Sequence, residues 1–133
     1  MAQHVSAIAL IVADYDEAIS WFTGILGFDL LEDTDMGGGK RWVRVCPPGA
    51  KSQPQSMCFL LAKATNDEQQ RYIGYQSGGR VFLFLDTDDF ARDYAAYRAR
   101  GVEFEGEPRH EVYGDVAVFR DLYGNRWDLV ERK

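Results

Sequence analysis

A chain of 133 residues, 46% hydrophobic and 14% aromatic, is long enough to bury a core of its own. Its net charge of −6 argues against a nucleic-acid partner, which needs a basic surface. No apolar run approaches the roughly 18 residues that span a bilayer. Residues 5–13 are apolar but follow no basic segment, so neither a membrane partner nor a signal peptide is expected, and the location expected is cytoplasmic.

Residues 6–12 are apolar throughout, which suits a strand covered on both faces. Asp14 or Asp16 can cap a helix whose Ala18, Phe22, Ile25 and Leu26 share one face, and Gly27 ends it. A strand over 28–33 follows, then a loose Gly37-Gly38-Gly39 turn. Residues 41–47 alternate as a strand that stops at Pro47-Pro48. Residues 49–56 read as a polar loop and 57–62 as the next strand. Cys46 and Cys58 lie in strands and form no CxxC, so each reads as a free, small apolar residue. A disulfide between them is the open alternative.

Residues 64–78 are polar and read as a connection with a short helix. Residues 80–86 form a strand, and Asp88 caps a helix that presents Phe90, Tyr94 and Tyr97 before ending at Gly101. Strands over 102–105, 115–120 and 126–131 complete the chain, the last two joined by a tight turn at 121–125. His110 and Tyr113 fall in the expected loop ahead of residue 115, where a Tyr–His pair could serve acid–base chemistry.

The chain holds one unit twice. Ile8, Leu10 and Val12 match Val81, Leu83 and Leu85 at an offset of 73, and Gly27 matches Gly101 at 74. One such unit cannot bury its apolar face alone, whereas two can cover each other or a ligand. The fold class expected is α+β. Two tandem βαβββ modules, 5–63 and 79–133 with a linker at 64–78, form a curved eight-stranded mixed sheet with helices on its convex face.

The run IVADYDEAISWFTGILGF and the closing FRDLYGNRWDL resemble the vicinal oxygen chelate superfamily, which contains glyoxalase I, extradiol dioxygenases and bleomycin-binding proteins. That scaffold hosts many chemistries, so the resemblance implies the glyoxalase-like fold more than any reaction. Its enzymes hold a divalent metal with His or Glu on the first and last strands of each half. Carried over by the motifs, those positions fall on Ala7, Leu60, Arg80 and Asp128. Only Asp128 has a donor suited to a cation, so no cofactor is expected and a divalent metal is disfavoured. His4 is three residues before Ala7, on the other strand face. The resemblance also implies a homodimer.

Period-two counting puts Ala7, Ala9, Ile11, Cys58, Leu60, Ala62, Trp42, Arg44, Arg80, Phe82, Phe84, Arg126 and Asp128 on one sheet face. The opposite face, including Ile8, Leu10, Val12, Phe59, Leu61, Val81, Leu83, Leu85 and Leu129, is wholly apolar and belongs to the helices, as does Trp127. A mixed concave face suits a small-molecule ligand. The expected ligand residues are Trp42, Arg44, Arg80, Phe82, Tyr113 and Asp128. In this reading Arg80 and Asp128 pair as ions in place of the metal, or simply fill space. Trp42 and Phe82 stack on a planar ligand, and Arg44 and Arg126 favour an anionic group. Catalytic residues are not assigned. The alternatives are a glyoxalase-like lyase, isomerase or transferase, and a drug-sequestering resistance protein.

Overall fold

The computed structural model describes residues 1–49 and 56–133. The chain divides into two compact units, Met1–Ile73 and Gly74–Lys133. Each unit carries a four-stranded mixed sheet rather than a share of one eight-stranded sheet. Most of the expected polar loop at 49–56 lies outside the described residues.

In the first unit β1 (Ala7–Val12) runs parallel to β4 (Cys58–Lys63). The order continues through β3 (Lys40–Cys46) to β2 (Asp29–Gly37) at the edge. Between β1 and β2 lies α1 (Tyr15–Gly24). Asp14 caps it by accepting from the Glu17 backbone N–H at 2.8 Å, which satisfies one of the orphan donors of the first turn. The register sets Ile8 beside Phe59 and Val45, and Leu10 beside Leu61 and Val43. This is the helix-facing side: Phe59 lies 6.2 Å from the Phe28 ring, which lies 5.7 Å from Phe22 of α1. Leu10, Val12, Phe22, Val43 and Leu61 are at most 1% exposed. Burying each such side chain contributes about 1.5–3 kcal/mol. A short α2 (Asp67–Arg71), capped by Asn66, follows β4.

The second unit repeats the plan. Strand β5 (Val81–Asp86) runs parallel to β8 (Arg126–Arg132), which pairs antiparallel with β7 (Gly114–Arg120), and β7 pairs with the edge strand β6 (Glu103–Glu111). Between β5 and β6 lies α3 (Phe90–Ala99), whose Tyr97 meets Phe119 at 5.5 Å. Phe119 stacks on Trp127 at 5.6 Å, so Trp127 is core as expected. Asp121 anchors the β7–β8 turn. Its carboxylate accepts from Trp127 Nε1, Asn125 Nδ2 and the backbone N–H groups of Tyr123 and Asn125, all at 3.0 Å. Burial pushes its pKa up, against the pull of those four donors.

Several expectations are corrected. Asp89, not Asp88, caps α3 by accepting from Arg92 N at 3.0 Å, while Asp88 instead pairs with the Arg92 guanidinium at 2.7 Å. Strand β6 runs on to Glu111, so the expected loop before residue 115 is mostly strand, and Glu111 pairs with Gly114 across a two-residue turn. Cys46 and Cys58 are not free thiols. They form a disulfide with a Cα–Cα distance of 4.4 Å. The cause is register: Arg44 faces Leu60 and Val45 faces Phe59, so the next step sets Cys46 against Cys58.

Candidate functional site

Turning each sheet over exposes the side away from its helix. In the first unit Arg44 sits level with Leu60 of β4 and Glu32 of β2. A register shift at Leu31 brings Glu32 to that level, and Arg44 Nε donates to Glu32 Oε1 at 3.2 Å. Two residues away on the same strand face, Trp42 is 39% exposed. In the other direction lies the buried disulfide, against which Leu31 packs.

In the second unit Asp128 stands level with Phe84 of β5 and Val118 of β7. Phe84 is 63% exposed, unusual for a large apolar side chain in a strand. Asp128 Oδ1 is buried without a hydrogen-bond partner, and among the described residues Asp128 forms no ion pair. Burial pushes its carboxyl pKa up, against the pull of Arg109 and Arg126. The arginines nearby are committed to other carboxylates. Glu105 Oε2 holds Arg120 Nε at 2.9 Å and Arg126 Nε at 3.0 Å. Arg126 Nη1 also donates to the Gly79 carbonyl at 3.1 Å, and Arg109 pairs with Glu111 at 3.5 Å.

The expected site residues therefore fall in separate settings. Trp42 and Arg44 share the open face of the first unit, and Asp128 lies on that of the second. Phe82 is half-buried at a register shift in β5: Val81 pairs with Arg126 and Leu83 with Trp127, one step on β8 for two on β5. That bulge breaks the alternation on which Arg80 was placed. Arg80 is exposed, precedes β5, and makes no ion pair with Asp128, so the expected Arg80–Asp128 substitute for the metal does not form. Tyr113 is half-exposed at the β6–β7 turn. His110 bonds Asp115 Oδ1 through Nδ1 at 2.7 Å, so no Tyr–His pair is assembled. Phe84 and Glu105 are the residues that matter more than the sequence suggested. Phe84 was legible by alternation, and Glu105 ends the alternating run over 102–105, but nothing in the sequence marks its two arginine partners.

A divalent metal at the positions implied by resemblance does not fit these residues. Ala7 and Leu60 in the first unit have no donor, and in the second unit Arg80 is a cation and Asp128 a single carboxylate. Among the described residues no three His, Cys, Asp or Glu side chains converge on a point that could hold an ion.

Against this geometry the comparisons with known proteins are decisive for the family. The model of the Glyoxalase/Bleomycin resistance protein/Dioxygenase superfamily matches residues 4–129. The chain belongs to that superfamily. An uncharacterized protein of Shewanella frigidimarina is 52% identical over 98% of this chain and 95% of its own length. Among solved structures, UcmS2 superposes with a TM-score of 0.81 at 28% identity, covering 98% of each chain. TnmS3, an antibiotic binding protein from Streptomyces sp. CB03234, superposes with a TM-score of 0.76 at 30% identity, covering 99% of this chain and 98% of its own. The glyoxalase-like fold expected from the two motifs is thus the fold observed.

Proposed function

We propose that this member of the superfamily is a small-molecule binding protein that holds a planar compound on the open face of a sheet without a metal, in the manner of a sequestering protein. The observation that carries the reading is Phe84, a strand aromatic left 63% exposed beside an unpaired carboxylate on the face away from α3. Trp42 offers a second exposed aromatic on the corresponding face of the first unit. Exposed aromatic surface next to a few polar groups is the usual lining of a ligand site. Similarity to an antibiotic binding protein, at 30% identity over nearly the whole chain, supports binding over turnover. The arginines weaken the case for an anionic ligand, since Arg44, Arg120 and Arg126 are already paired with Glu32 and Glu105.

A homodimer belongs to the same proposal: β2 and β6 are sheet edges, and edges are surfaces on which copies can meet. Native mass spectrometry of the protein as purified, with elemental analysis for Zn, Ni, Mn and Fe, tests the reading. The expected result is a metal-free dimer, with any retained small molecule identifying the ligand class. Near-stoichiometric metal overturns the reading and directs attention to a metal-dependent lyase or transferase.

A further inference from the structure

Asp128 is a half-buried acidic group on the open face of the second unit, and among the described residues no arginine pairs with it. In its row across the sheet it lies between Phe84 and Val118, so its carboxylate is an acceptor flanked by apolar surface. Oδ1 is buried and unpartnered. The other oxygen, Oδ2, has no protein partner among the described residues. Two guanidinium groups act on the carboxylate from a distance, yet both are engaged: Arg126 by Glu105 and the Gly79 carbonyl, Arg109 by Glu111. An uncompensated carboxylate in an apolar row is costly, and a hydrogen-bond donor at Oδ2 would offset that cost.

On the reading that this face binds a planar compound, we infer that the ligand carries a hydrogen-bond donor, an amine or ring N–H, which meets Asp128 while its ring system lies on Phe84. The ligand class is thereby a planar aromatic amine, cationic or neutral, and not a carboxylate. Three features point the same way. The carboxylate forms no ion pair among the described residues, the nearby arginines are engaged by Glu105 and Glu111, and the overall charge of −6 attracts cations over distance. A charge-assisted bond to a desolvated carboxylate is roughly twice as strong as a neutral one, so a cationic amine binds more tightly than a neutral N–H.

The test uses the full-length protein and three planar three-ring probes: proflavine (a cationic amine), acridone (a neutral N–H donor) and anthracene carboxylate (an anion). Fluorescence titration is run on the wild type, Asp128→Asn, Phe84→Ala and, as a charge control in α2 of the first unit, Asp67→Asn. Proflavine is expected to bind about tenfold or more tighter than anthracene carboxylate, with acridone between them. In Asp128→Asn that ratio falls about tenfold. Phe84→Ala weakens all three probes alike, and Asp67→Asn leaves the ratio where it was. If the carboxylate binds tightest, or if the ratio survives Asp128→Asn, the inference is overturned while small-molecule binding stands. A ratio that moves equally in Asp67→Asn assigns the preference to net charge and also overturns it. Absence of binding by all three probes to the wild type removes the inference and the binding reading together.

Discussion

Reduction of the Cys46–Cys58 disulfide isolates a single structural contribution, because the two thiols it leaves still fill the same buried space beside Leu31. The bond links residues 12 apart. Closing a loop of that length in the unfolded chain removes conformational entropy worth about 3 kcal/mol at room temperature. Urea denaturation of the oxidised protein, and of the same protein held in dithiothreitol, should show the reduced form less stable by that amount. The slope of free energy against urea should rise on reduction, because the uncrosslinked chain exposes more surface. Free-thiol titration of the unfolded, never-reduced protein should find none. Two free thiols in that sample, or coincident denaturation midpoints in samples shown to differ by two thiols, would refute the reasoning.

Asp121→Ala should destabilise the protein by about 3 kcal/mol or more, read by thermal or urea melting, because the buried Trp127 and Asn125 donors lose their acceptor. Gly74→Ala should lower the melting temperature as well. Gly74 has a positive φ of 76°, and a Cβ there would overlap the Tyr123 carbonyl of the same unit. For Asp128 the sign of the pH dependence follows from a folded pKa raised above 3.8. The folded state then binds more protons than the unfolded one, so the wild type loses stability as pH rises from about 3.8 through the raised value. Asp128→Asn should therefore melt above wild type at neutral pH and converge with it in acid; a gap that widens toward acid contradicts the assignment. By the same titration, proflavine affinity should fall as the solution is acidified through that range.

The sequence disclosed the two-unit plan because each unit repeats a strand, an acidic cap, a helix with a core-facing stripe and a closing glycine. Residues on the helix-facing side were legible for the same reason: Leu10, Phe59, Leu61, Leu83 and Leu129 are apolar at period two, and all five are buried. What stayed hidden depends on register. The run VFLFLD is apolar at nearly every position, so nothing in it marks the bulge at Phe82 that displaces Arg80. The disulfide required knowing that β3 and β4 pair so that Val43 meets Leu61, which a variable loop conceals. The second half of β6 reads as a loop because GEPRHE lacks alternation and contains Gly106 and Pro108. The sheet tolerates both because β6 is an edge strand with a register shift between Glu105 and Arg109. Glu105 takes up two of the arginines through that irregular strand. No count of charges along the sequence shows which cations are already paired.

Metal-independent recognition of a small molecule is the central claim, and a paired titration tests it most directly. Proflavine is added to protein dialysed against a strong chelator and, separately, to the same protein resupplied with zinc, nickel or manganese. The donor-poor set Ala7, Leu60, Arg80 and Asp128 predicts the same saturable binding in every sample. Binding that appears only after a metal is restored would contradict it.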